Sequence, residues 1–141
     1  MRTAEQILSV LSDRGSRHLP VERLYRHLFN PEFLLTAYGR LYRNQGAMTA
    51  GTTNETVDGM TLAKIHRIID LLRHERYRWA PVRRTEIPKA NGKTRPLAIP
   101  TWSDKLLQEA MRQLLEAYNE PQFSDQSHGF RPRRCCHSAL R

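Results

Sequence analysis

The stretch EIPKANGKTRPLAIP, residues 86–100, turns on one dipeptide, Asn91-Gly92. Asn-Gly between apolar runs is a strong short-range signal for a β-hairpin, because both residues accept positive φ. It predicts a hairpin over residues 82–99. The loop length then decides what the hairpin presents. A two-residue loop at Asn91-Gly92 would pair Lys89 with Thr94 and send Lys89 and Arg95 to opposite faces. A three-residue loop, residues 90–92, would pair Lys89 with Lys93 and Ile87 with Arg95. Arg83, Lys89 and Arg95 would then share one face, because side chains alternate with period two. Three-residue loops with Gly in the left-handed position are common, and Pro88 and Pro96 disfavour a regular ladder. The odd loop, or an equivalent bulge, is therefore preferred. Like charges brought together repel unless an anion neutralises them; the alternative is a tip whose cations are merely solvated.

The charge balance bears on that choice. The chain of 141 residues is long enough for one domain and carries a formal net charge of +9. Nine Lys/Arg face seven Asp/Glu in residues 1–70, against fourteen and seven in residues 71–141. The excess lies in the second half, with eight cations and two acids in residues 73–95 alone. Nineteen of the 23 cations are Arg, whose planar fork suits phosphate and stacks on bases. A polyanionic partner is implied, with nucleic acid first.

Around the hairpin the sequence reads as helix. Thr3 and Gln6 form a capping box ahead of Ile7, Leu8 and Leu11. Val21, Leu24, Tyr25, Leu28 and Phe29 repeat at helical spacing. Asn30-Pro31 is an N-cap and first-turn pair, opening a helix with Phe33, Leu34, Ala37, Tyr38 and Leu41 on one side. Residues 45–60 are rich in Thr and Gly with no apolar period, and read as a loop. Thr61 caps a helix with Leu62, Ile65, Ile69 and Leu72 inward. Thr101 caps a long helix carrying Leu107, Met111, Leu114 and Tyr118, with Asp104 at its third position as a second cap. CCHSALR starts a further helix without a terminal cap, which suggests a truncation. The fold class expected is α/β in the α+β sense: helix-rich, with one hairpin.

No self-contained catalytic centre is visible. There is no Gly-rich loop before a Lys-Ser/Thr pair, so a P-loop is excluded. His128, Cys135, Cys136 and His137 do not have zinc-ligand spacing. The adjacent cysteines fit disulfide geometry poorly, and a reducing compartment is the default. No apolar run approaches the roughly 20 residues of a membrane span, and the first ten residues do not resemble a signal or transit peptide. No membrane partner is expected.

PVRRTEIPKANGKTRPLAIPTWSDKLLQEA, followed by FSDQSHGFRPRRCCHSAL, resembles the first two conserved blocks of group II intron-encoded reverse transcriptases, also called maturases. The upstream TVDG resembles the end of the preceding block. The likeness covers about residues 30–141 and is most specific in residues 81–141. It implies the fingers of a right-hand polymerase and the very start of its palm. Residues 1–60 would be a helical extension and template-side loop, and residues 61–141 the fingers with the start of the palm. The remaining palm and the thumb would be absent. By motif position, Lys89 of IPK and Arg95 of TRPL would contact the triphosphate of the incoming nucleotide, with Arg83 next. Arg84, Lys93, Gly129, Phe130 and Arg131 would meet template or RNA. Intron RNA, template-primer nucleic acid and the missing palm and thumb are the implied partners.

Three departures stand out: Ala98 where the family usually has Gly, Arg134-Cys135 where a Gly is more usual, and Glu55-Thr56 for the common Pro-Gly. The last puts RNA contact by the 45–60 loop in doubt. The family's metal-binding aspartates, including a Tyr-x-Asp-Asp box, are missing. The cofactor Mg2+ would be held by palm carboxylates outside this chain, since two-metal phosphoryl transfer needs them. The chain alone is expected not to polymerise. The rival expectation is a non-catalytic RNA-binding fragment that aids splicing, and a third is a truncated product with no function of its own. The bacterial cytoplasm is the expected location, or an organellar matrix.

Overall fold

A computed structural model describes residues 2–140. In chain order it contains α1 (Ala4–Ser16), a 3-10 turn (Leu24–Phe29), α2 (Pro31–Tyr42), α3 (Leu62–Arg73), β1 (Arg83–Pro88), β2 (Thr94–Ile99), α4 (Trp102–Asn119) and α5 (Cys136–Ala139), with shorter 3-10 turns at Val57–Gly59 and Glu120–Gln122. The two strands make one antiparallel sheet among the described residues. This is the α+β class expected. The chain groups into two compact units. One joins the segment up to Leu24 with the segment from Arg112 onward; the other is Tyr25–Met111.

Three helix starts follow the sequence. The Thr3 side chain accepts from the Gln6 amide, and Gln6 returns a bond to the Thr3 amide. Asn30 accepts from the Glu32 amide ahead of Pro31. Thr61 accepts from the Lys64 amide. Such caps satisfy amides that a first helical turn leaves without partners, each worth about 1 kcal/mol. The segment around Val21 differs from expectation. Its apolar residues do not form an α-helix, because Arg23 adopts φ 57 and only a 3-10 turn follows.

The Tyr25–Met111 unit has a largely apolar centre. Phe33, Leu34 and Ala37 of α2, Ile65, Ile68, Ile69 and Leu72 of α3, and Trp102, Leu106, Leu107 and Ala110 of α4 are all buried, with Leu28 and Val57. Two stripes are shifted from their expected positions. Leu62 is exposed and Ile68 takes its place inside, while Met111 lies outward and Leu106 with Ala110 completes the buried row. Both stripes keep most of their expected residues inside and turn by less than one residue's 100°, a phase that periodicity alone does not fix. In the other unit, Ala4, Ile7 and Leu11 of α1 are buried, as is Leu114. Gly15 lets α1 approach the Tyr118 carbonyl so closely that a β-carbon there would collide with it. The Tyr118 hydroxyl donates to Leu19 O at 3.0 Å.

Phe33 is fully buried. Phe33→Ala removes its transfer energy and leaves a cavity, so the unfolding free energy should fall by about 3–5 kcal/mol in urea titration. A loss below 1 kcal/mol would mean that α2 does not form this core.

Candidate nucleic-acid interface

The register of the hairpin sets its chemistry. Ile87 pairs with Arg95, Pro88 with Thr94 and Arg83 with Ile99. At the tip the Lys89 amide donates to Lys93 O at 2.7 Å, and the Gly92 amide to Lys89 O at 3.1 Å. The loop is therefore residues 90–92, the three-residue form, with Gly92 at φ 75 in the left-handed region where a side chain is disfavoured. Asn91 Oδ1 accepts from the Lys93 amide at 3.2 Å and braces the turn.

Paired residues of an antiparallel ladder point to the same side and alternate along each strand. One face thus carries Arg83, Thr85, Ile87, Lys89, Lys93, Arg95, Leu97 and Ile99. It holds four cations and no acid. The other face carries Arg84 and Glu86, which pair at 3.4 Å. The hairpin's single acid is engaged on the opposite side. Among the described residues Arg83, Lys89, Lys93 and Arg95 have no ion-pair partner. The structure brings together Lys89, Lys93 and Arg95 at the tip. Arg83 lies on the same face at the base, and Arg84 points the other way. Lys93, grouped with Arg84 on the sequence, shares its face with Lys89 instead.

The base of the hairpin is pinned to α4. Asp104 is buried, and its carboxylate accepts from the Tyr77 hydroxyl at 2.7 Å and the Ala80 amide at 3.1 Å. The Asp104 amide in turn donates to Thr101 Oγ1 at 3.3 Å, so Thr101 is the cap. The Asp104 carboxylate is not a second cap; it reaches sideways to the segment entering β1. Burial, then the hydrogen bond to Asp104, pushes the Tyr77 hydroxyl far above the usual tyrosine range. The loop 45–60 holds the same base. Thr52 donates to Pro81 O at 2.8 Å, Lys105 Nζ to Thr49 O at 2.7 Å, and Trp102 Nε1 to Ala47 O at 2.6 Å. A β-carbon on Gly51 would lie 2.6 Å from Pro100 O. Glu55 Oε2 accepts from the Ser103 hydroxyl at 3.0 Å, and Glu55 Oε1 pairs with Lys64 at 3.6 Å. Glu55, the departure from the family's Pro-Gly, is thus tied into the start of α4.

In the other unit, the three GFRP residues divide. Arg131 is engaged inside its own loop. Its guanidinium donates to Glu120 Oε1 at 2.9 Å, Ser124 O at 2.7 Å and Ser127 O at 2.9 Å, and lies 5.4 Å from the Phe123 ring centre. Its side chain is 8% exposed. Phe130 is fully exposed and held at φ 57, and Gly129 has open space where a β-carbon would stand. Arg134 pairs with Asp125 at 2.8 Å. Among the described residues no three His, Cys, Asp or Glu side chains group to hold a metal ion. No helix among the described residues is long and apolar enough to cross a membrane.

Sequence reading missed Tyr77 and Lys105, and noted Glu55 only as a departure without its partners. Tyr77 and Glu55 act at long sequence separation, so their contacts left no local signal. Lys105 stood beside Asp104 but was masked by the helical pattern.

Fold and site together define a helix-rich α+β segment that carries an acid-free cationic hairpin face. No family model matches the chain. It is 52% identical over 144 residues to the group II intron-encoded protein LtrA of Lactococcus lactis subsp. cremoris, a match covering 100% of this chain and 24% of that protein. It is 44% identical over 145 residues to an uncharacterized 91 kDa protein in the cob intron of Schizosaccharomyces pombe, covering 98% of the chain and 18% of that protein. Protein YkfC of Escherichia coli is 39% identical over 129 residues, with 87% and 33% covered. The chain belongs to the family of group II intron-encoded proteins. It spans about a quarter of the length of LtrA.

Tyr77→Phe removes one donor from a buried carboxylate, at a cost of about 1–3 kcal/mol. Urea denaturation should show that loss, and hydrogen exchange at the Ala80 amide should accelerate with it. An unchanged Ala80 exchange rate would mean that Asp104 does not hold the hairpin base through this pair.

Proposed function

We propose that this chain is the fingers part of an RNA-directed DNA polymerase, acting in reverse transcription and in intron splicing and mobility. The observation that carries the reading is the hairpin face with four cations and no acid. Cations on one side of a ladder repel one another, and a polyphosphate relieves that repulsion while using their donors. Lys89 and Arg95 lie in adjacent rows of that face, about 7 Å apart along the strands at ~3.3 Å per residue. They hold the triphosphate of the incoming nucleotide, and Arg83 follows further along the same face. Lys93, beside Lys89, and Arg84, on the outer face, meet template or intron RNA.

Gly129, Phe130 and Arg131 shape a template surface by division of labour. Arg131 fixes the loop from within, and the exposed Phe130 ring offers a face for a base to stack on. Residues 1–60 serve as helical extension and template-side loop, residues 61–141 as fingers with the start of the palm. Mg2+ would be bound by palm carboxylates outside this chain and would supply charge stabilisation for nucleotidyl transfer. The protein works in the bacterial cytoplasm, or in an organellar matrix. A second reading, RNA binding that aids splicing without synthesis, is favoured by the net charge of +9 and the exposed Phe130.

Charge-assisted hydrogen bonds are worth about 1.5–3 kcal/mol, so losing one weakens binding about tenfold or more. In primer extension by the enzyme containing this segment, Lys89→Ala and Arg95→Ala should each raise the KM for nucleotide by about that factor. An unchanged KM in both variants would sink the triphosphate assignment. The second reading then stands only if intron RNA binding by the chain weakens steeply with salt.

A further inference from the structure

The chain has four lysines, Lys64, Lys89, Lys93 and Lys105. The fold treats them differently. Lys64 is partly buried and pairs with Glu55 at 3.6 Å. Lys105 is partly buried and donates to Thr49 O at 2.7 Å. Lys89 and Lys93 are exposed, and neither has an ion-pair partner among the described residues. They also face each other. The Lys89 amide donates to Lys93 O at 2.7 Å, which closes the ladder and sets the two side chains on one side of it. Opposed β-carbons of a ladder lie roughly 5 Å apart. Arg95 occupies the next row of the same side, ~7 Å along the strand.

Two chemical properties meet in this group. Its cations attract a small anion, and the planar fork of Arg95 matches a pair of phosphate oxygens. Two of its members are also primary amines, which are nucleophiles when neutral. Arg95 cannot take that part, because a guanidinium keeps its proton. A phosphate held by Arg95 and one lysine therefore stands beside the other lysine. If that phosphate carries an electrophilic carbon, the anchor delivers the carbon to an amine. Acyl phosphates have this structure, with a carbonyl carbon joined to the phosphate through one oxygen.

We propose that Lys89 and Lys93 are a modification site for small acyl phosphates, with Arg95 as the phosphate anchor. One lysine ammonium helps Arg95 hold the phosphate. The other lysine, in its neutral form, attacks the carbonyl carbon through Nζ. The C–N bond forms, the carbonyl carbon's bond to the phosphate oxygen breaks, and inorganic phosphate leaves with that electron pair. The surplus proton of the amine passes to the phosphate or to water. The product is a neutral amide where an ammonium stood. Holding donor and amine together raises the rate without a further catalytic group. Each acylation removes one of the four cations of the hairpin face, so the face holds any polyphosphate less well. The proposal uses the charged face alone and needs neither nucleotide nor template.

The experiment incubates the chain with acetyl phosphate and follows acetyl occupancy at each lysine by peptide mass spectrometry. A neutral donor, N-acetoxysuccinimide, is run in parallel and reports exposure alone. The ratio of acetyl phosphate rate to neutral-donor rate should be about tenfold higher at Lys89 and Lys93 than at Lys64 and Lys105. In Arg95→Gln that ratio at Lys89 and Lys93 should fall about tenfold, the loss of one charge-assisted contact. The ratio cancels any change in exposure that the substitution brings. Excess inorganic phosphate should slow the acetyl phosphate reaction at both lysines and leave the neutral-donor reaction as it was. An equal ratio at all four lysines overturns the proposal, because exposure alone then explains the pattern. A ratio unchanged in Arg95→Gln overturns it too, as does a reaction that inorganic phosphate does not slow. The nucleotide reading fails separately: an unchanged KM for nucleotide in Lys89→Ala and Arg95→Ala leaves these ratios where they are.

Discussion

A buried carboxylate bound by neutral donors holds this structure's working parts in place. Asp104 accepts from the Tyr77 hydroxyl and the Ala80 amide, and sits in the first turn of α4. An isolated charge at that depth costs several kcal/mol unless donors surround it. Here two neutral donors and the positive end of a helix do so. The consequence is geometric. The segment entering β1 has no regular structure of its own between α3 and Arg83, yet it is tied to α4 at two atoms. A two-stranded ribbon is marginal alone, so its direction is set where it leaves the body.

The same base receives a second set of ties from the loop before α3. Thr52, Thr49, Ala47 and Glu55 each bond to the hairpin base or the α4 start. That loop has the composition of a flexible connection. It is ordered by these contacts rather than by any period of its own. Glu55 shows how a departure from a family pattern can be absorbed: the carboxylate binds Ser103 and Lys64 where the family usually has Pro-Gly.

Within the exposed part, the division of charge between the two hairpin faces has one cause. An odd loop shifts pairing by one residue relative to an even one, and a one-residue shift exchanges faces. With residues 90–92 as the loop, every hairpin cation except Arg84 falls on one side, and Glu86 on the other with Arg84. Arg131 illustrates the opposite outcome. A GFRP arginine is readily taken for a ligand contact, yet its donors are engaged by Glu120, Ser124 and Ser127. Its neighbour Phe130 is the residue left outward.

Much of this was legible before the fold. Thr3, Asn30, Thr61 and Thr101 mark their helix starts because capping is a local bond, three residues long at most. Asn91-Gly92 marks the turn for the same reason, and strand parity then allowed only two arrangements of the cations. What remained open was what local bonds cannot reach. Whether Ile68 or Leu62 turns inward depends on which helix lies opposite. Whether Asp104 caps its own helix or binds Tyr77, 27 positions earlier, depends on where α3 ends and how the chain returns. Lys105 gained its meaning only when the Thr49 loop came against the hairpin base. Short-range hydrogen bonds and alternation are written in neighbouring residues; burial and long-range pairing exist only once the chain has closed on itself.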